Sequence, residues 1–424
     1  MYTPDLPIHK PKGSRSEAQV VLLILVCLSL LVIAVTCTPQ QQTGEVPDRS
    51  TIKIGYFGDL SGPTFDFGQS AKNGALLAAE EINQAGGING RRIDLVIEDD
   101  QGSPELAATI VNKLTRQDKV VALIAGGASG SSLAAGPNAQ SAKVPMISPS
   151  STNPAVTQIG DYIFRACFID PFQGEVMAKF AHDSVMAKTA AIMLDFNSPY
   201  SKDLTDFFEL SFTQHGGRVV EKESYTQGDQ DYRGQLSSIS ATGPDVIYLP
   251  GYYGDIAVIA KQARQMGMTQ PLLGGDGWDA PELWQLAGDS INGSYISNHY
   301  SADDPSPAIQ KFVQDYKQHY GNLAPDAHAA LAYDAMRFLT EAIQRAGTTQ
   351  GKALRDALAQ TRGFSGVTGI ISMDPDRNAV KPAVILKLQD GRYIFQETIR
   401  PEAVAAPAKP SPSPTPSRSR KKKK

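Results

Sequence analysis

Between residues 51 and 398 one pattern recurs: a short apolar, β-branched run, a turn rich in Gly, Pro, Ser or Asp, then a longer amphipathic stretch. Apolar runs of four to eight read as buried strands and 3.6-residue spacing reads as helix. Strands are expected at 52–57, 92–98, 120–125, 145–148, 189–194, 218–224, 246–249 and 272–274. Helices fall between them, at 68–85, 104–116, 131–143, 172–183, 201–214, 232–240 and 255–266. Gly86-Gly87, His215-Gly216-Gly217 and Met266-Gly267 mark helix ends, because glycine accepts the left-handed backbone that closes a last turn. Alternation of this kind builds parallel sheets with helices on both faces. A break near 162–171 splits it into halves of about four repeats each, so two α/β sheets fit better than one. After residue 273 the character changes. Helical patterns at 308–320, 327–346 and 352–360 follow 295–300, and strands are then expected at 369–372 and 383–388, with a turn at Asp374-Pro375-Asp376-Arg377 between them. The chain can be completing its two halves in turn, although pattern alone does not establish the crossing.

The ends differ from this body. Residues 20–35 are an apolar run preceded by Lys10, Lys12 and Arg15, short for a spanning helix of about twenty residues and slightly long for a signal core of 7–15. Ala34-Val35-Thr36-Cys37 resembles a bacterial lipobox, with Thr36 and Ala34 where small residues and Leu are usual. A lipoprotein lipidated at Cys37, an uncleaved anchor and a cleaved signal all stay open, and all export the body. Residues 1–19 then form a cytoplasmic leader, 20–37 the signal or anchor and 38–50 a linker. From about 400 the chain is a Pro/Ser-rich tail expected to be disordered. Its last sixteen residues hold seven basic side chains, so an overall charge of −4 leaves −11 on the rest. An acidic body has no basic face for neutralising phosphates, which excludes nucleic acid as its partner. Cys167 is alone in the body and reads as a buried hydrophobe.

Ligands of open parallel sheets bind beyond the carboxyl ends of the strands, where helix N-termini offer free N–H groups. The loop after 120–125 carries Gly126 to Ser132, and that after 145–148 carries Pro149-Ser150-Ser151-Thr152, a set of hydroxyls and amides suited to a carboxylate. In the second half the corresponding loops carry Tyr200, Gly251-Tyr252-Tyr253 and Gly275-Asp276-Gly277-Trp278, one acid among aromatic rings. Carboxylate binding on one wall and an acid with ring faces on the other fit a zwitterionic α-amino acid. Any one of these residues taken alone could equally cap a helix or shape a turn.

Several segments point the same way: Ile52-Lys53-Ile54-Gly55-Tyr56, Leu60-Ser61-Gly62-Pro63, Lys72-Asn73-Gly74-Ala75, Glu81 to Gly90, Glu98-Asp99-Asp100, Val144 to Pro149 and Lys261 to Gly267. Together they resemble the leucine/isoleucine/valine-binding protein family of periplasmic receptors over nearly all of 51–398. The resemblance implies a type I periplasmic-binding-protein clamshell, two Rossmann-like lobes joined by a hinge. Lobe 1 would comprise 51–168 plus about 299–363, lobe 2 about 169–298 plus about 364–399. It also implies site roles: Ser129 and Thr152 for the α-carboxylate, the Ser150 carbonyl and Asp276 for the ammonium, Tyr200 and Tyr252 as cleft aromatics. Phe67 stands where a tyrosine often contacts ligand, and Asp276 is one methylene shorter than the glutamate of branched-chain receptors. With Phe65, Phe67 and Trp278 nearby, a branched-chain, other apolar or aromatic amino acid fits, and a small amide or acid stays open.

An enzyme is disfavoured. Gly126-Gly127-Ala128-Ser129-Gly130 is neither a dinucleotide fingerprint nor a Walker loop, and Ser131 breaks a nucleophile elbow at Ser129. The six His are scattered without ligand spacing, so neither metal nor cofactor is expected. The reading is an extracytoplasmic, membrane-tethered, monomeric solute-binding protein serving an ABC permease, with an anchored ligand sensor on the same clamshell as the alternative.

Overall fold

In the computed structural model the described residues are 51–401; the apolar run, Cys37 and the tail from 402 lie outside them. Five strands, β1 (Thr51–Gly58), β2 (Arg92–Asp99), β3 (Ala122–Ala125), β4 (Met146–Ser148) and β5 (Ile163–Arg165), form a parallel sheet in the order β2-β1-β3-β4-β5. Then come β6 (Thr189–Asp195), β7 (Arg218–Tyr225), β8 (Val246–Tyr248), β9 (Leu272–Gly274) and β10 (Ser294–Asn298). After them follow β11 (Phe364–Gly366), β12 (Gly369–Met373), β13 (Ala379–Val380), β14 (Ala383–Gln389) and β15 (Arg392–Ile399). The second sheet has seven strands in the order β15-β14-β10-β9-β8-β6-β7, parallel from β10 to β7, with β14 and β15 antiparallel at the other edge. Every residue of β3, β4, β8 and β9 is buried, as expected of strands covered on both faces, whose sequences run continuously apolar instead of alternating.

Each sheet divides two cores. Helices Phe65–Gln84 and Ala327–Ala346 cover one face of the first sheet through Ala71, Ala75, Ala335, Met336 and Phe338, and helices Pro104–Arg116 and Ser129–Ala142 cover the other. The second sheet lies between helices Asp170–Asp183 and Pro199–Gln214 on one face and Arg233–Thr242, Tyr253–Gln265 and Pro281–Ala287 on the other. Several helices begin two or three residues before the expected start: Phe65, Ser129, Asp170, Pro199 and Tyr253 precede the first apolar repeat that periodicity registers. At Pro199 the cause is local, since proline tolerates a first turn and the Ser198 hydroxyl accepts from the Ser201 N–H at 3.2 Å.

The chain passes from the first sheet to the second after β5, back after β10 and forward again after β13. The last crossing departs from the expectation that residues from 364 onward join the second half. Phe364, Val367, Ile371, Met373 and Ala379 belong to the first sheet's core. They are held there because buried Asp334, on helix Ala327–Ala346, accepts from the backbone N–H groups of Val367 and Thr368 and from the Thr368 hydroxyl.

Candidate ligand cleft

The loops beyond the carboxyl ends of β3, β4, β6, β8 and β9 meet around a small cavity lined by Phe67, Ala128, Ser129, Ser150, Tyr200, Tyr252, Asp276, Gly277 and His328. Six of the residues expected from sequence are therefore brought together. On one wall Ser129 is the first residue of helix Ser129–Ala142, where backbone N–H groups have no partner inside the helix. Its Oγ accepts from the Asn153 N–H at 3.4 Å. Ser150 is half-buried, and Thr152 is fully buried outside the cavity lining, with its carbonyl accepting from Asp170 N at 3.0 Å. The Thr152 hydroxyl makes no well-formed hydrogen bond among the described residues.

Asp276 dominates the opposite wall. Only 3% exposed, its Oδ1 accepts from the Tyr200 hydroxyl at 2.9 Å and from Gln173 Nε2 at 2.8 Å, while Oδ2 lies 3.1 Å from His299 Nε2. Burial alone would raise its pKa, but the His299 hydrogen bond and field and the Gln173 hydrogen bond more than offset this and hold it below the ordinary carboxylate value. Burial pushes His299 the other way, down to about 4 despite the pull of Asp276, so the imidazole is neutral at pH 7 and donates from Nε2. The result is an ionised carboxylate lining the same cavity as the first turn of helix Ser129–Ala142. The Tyr200 and Tyr252 rings stack at 5.2 Å and 11°, and Phe67 meets Tyr252 edge-on at 5.7 Å and lies flat on His328 at 4.0 Å. Aromatic faces thus flank the charged end.

Trp278 does not join this wall. It is fully buried in the second sheet's core, donating from Nε1 to the Leu249 carbonyl at 3.0 Å. Asp276 and Trp278 share a single 3-10 turn, in which residues two apart point to different sides, so an Asp276 aimed at the cavity sends Trp278 beneath it. Phe65 is 37% exposed and does not line the cavity. Sequence reasoning missed Gln173, His299 and His328. His299 was within reach, since it directly follows β10 at a carboxyl end; Gln173 and His328 sit inside helical patterns with no local mark.

A family model described as periplasmic binding protein matches residues 51–392. Among curated relatives, a Leu/Ile/Val-binding protein homolog of Brucella melitensis is 29% identical over 82% of this chain and 94% of its own. An amino acid binding protein of Pseudomonas aeruginosa is 30% identical over 75% and 84%. Among solved structures, the leucine binding protein LivK of Thermotoga maritima is 39% identical with a TM-score of 0.80, covering 83% of this chain and 99% of that one. LivJ of Streptococcus pneumoniae, a branched-chain amino acid transporter substrate binding protein in complex with isoleucine, is 35% identical with a TM-score of 0.79, covering 83% and 100%. The fold and cleft are those of a type I clamshell receptor for a small solute. The chain belongs to the periplasmic binding protein family.

Proposed function

We propose that this protein captures an α-amino acid outside the cytoplasm and delivers it to an ABC permease. The observation that carries the reading is the placing, around one small cavity, of a buried ionised Asp276 and the N-terminus of helix Ser129–Ala142. In this reading Ser129 and Thr152 receive the α-carboxylate together with free backbone N–H groups, and Asp276 and the Ser150 carbonyl hold the ammonium. Charge-assisted hydrogen bonds at both ends orient the ligand, and the Tyr200–Tyr252 stack covers it. Relatives named for leucine, isoleucine and valine binding support the class.

Capture proceeds by closure of two lobes, 51–168 with 299–380 against 169–298 with 381–399, because a ligand touching both favours the shut state. The protein acts as a monomeric receptor without catalysis, tethered to the membrane through residues 20–37, by lipid on Cys37 or by an anchor. Among the described residues no helix is long and apolar enough to cross a membrane. A thermal-shift screen against the standard amino acids tests the reading, since a ligand that binds only the folded state raises Tm. At least one should shift the parent and lose its effect on Asp276→Asn; no shift with any of them overturns the reading.

A further inference from the structure

His328 enters the cavity from outside every loop so far considered. It is the second residue of helix Ala327–Ala346, 5% exposed, with its ring lying on Phe67, and neither Nδ1 nor Nε2 has a hydrogen-bond partner among the described residues. Burial pushes its pKa down to about 4, against the weaker pull of Asp276, so at pH 7 the ring is neutral and carries one donor and one acceptor. Buried polar atoms without partners are costly and rare. An aliphatic ligand side chain pressed against His328 would seal both nitrogens from water and leave them unpaired.

We infer that His328 reads the ligand's side chain, and that the ligand is an amino acid whose side chain ends in a neutral hydrogen-bonding group, a hydroxyl or an amide. The inference rests on the amino-acid reading above, which assigns the carboxylate to Ser129 and Thr152 and the ammonium to Asp276, leaving His328 for what remains. Either group can donate to or accept from an imidazole nitrogen, whichever tautomer His328 holds. An acidic side chain fits less well, because Asp276 lines the same cavity and repels a second negative charge. A site built to hydrogen-bond its substrate also rejects the isostere that lacks the group, since its own polar atoms are then left unpaired.

Titration calorimetry on the full-length protein with two shape-matched pairs, threonine against valine and asparagine against leucine, separates the readings. Threonine and asparagine should each bind at least tenfold tighter than their aliphatic partners. His328→Phe, which keeps a ring against Phe67, should erase or reverse that preference, and His328→Gln, which keeps a donor and an acceptor, should retain part of it. Valine and leucine binding as tightly as their polar counterparts, aspartate binding tightest, or a preference unchanged in His328→Phe overturns the inference while leaving the amino-acid reading standing. Binding of no amino acid overturns both.

Discussion

Asp276 keeps its charge in a buried setting because three side chains, Tyr200, Gln173 and His299, surround its oxygens. Asp276→Asn preserves size but removes the charge proposed to pair with a ligand ammonium. Losing one partner of a buried charged pair costs roughly 2–5 kcal/mol, so calorimetry should show affinity falling about thirtyfold or more. The two buried imidazoles make a second prediction. His299 and His328 take up protons near pH 4 in the folded chain, against an ordinary 6.5. Between those values the unfolded chain binds more protons, so stability is present above about 6.5 and is lost as pH falls towards 4, on the order of 3 kcal/mol per imidazole. Asp170, whose pKa burial raises, works in the opposite direction, so the test is a difference. The urea midpoint of the parent should fall from pH 7 to pH 5 more steeply than that of His328→Phe; equal slopes would assign His328 no part. At this scale the sequence was legible where the cavity is lined from a strand end, as at Ser129, Ser150, Tyr200, Tyr252 and Asp276. It was opaque at His328, which reaches the same cavity from a distant part of the chain.

Helix Ala327–Ala346 places His328 by packing against helix Phe65–Gln84, which places Phe67, and glycine sets the spacing between them. A Cβ on Gly74 would lie 2.0 Å from the Ala329 carbonyl oxygen, one residue past His328. In a free helix Gly→Ala gains about 1 kcal/mol; here overpacking costs roughly 1–3 kcal/mol and pushes the two helices apart. Gly74→Ala should therefore lower the urea midpoint and weaken ligand binding together. A more stable protein with unchanged affinity would mean the helices have slack. The Gly74 segment could be read as a motif, but its reason, the close approach of a helix from far along the chain, could not. Gly86 and Gly87 were legible because their cause is local: φ values of +102° and +74° end the helix, and a Cβ on Gly87 would meet the Arg91 carbonyl oxygen at 2.2 Å.

Which sheet each strand joins was the part of the whole molecule that sequence left open. Both halves carry the same strand–helix period, so nothing in the pattern of 364–380 says that these residues return to the first core before β14 crosses to the second. Once both sheets are built, they touch across the cleft through Phe67, which packs edge-on against Tyr252 and Tyr253, and through polar contacts. Asn153 Nδ2 donates to Asp203 Oδ2 at 2.9 Å and to the Pro199 carbonyl at 3.1 Å, and Glu282 N donates to Asp66 Oδ2 at 3.2 Å. Polar contacts of this kind, each contributing about 1 kcal/mol net, can bias a shut state without locking it, which a receptor that must release its ligand requires. Asp203 makes a clean probe, because it is only partly buried and does not line the cavity. Asp203→Ala removes one cross-cleft hydrogen bond, about 1 kcal/mol of bias toward closure. An affinity reduced by the lost closed population follows, so Kd should rise by up to about fivefold. In solution scattering, saturating ligand should shrink the radius of gyration of the parent, and the ligand-free Asp203→Ala protein should be at least as expanded as the ligand-free parent. A scattering profile that ligand leaves unchanged in both proteins would count against closure as the mode of capture.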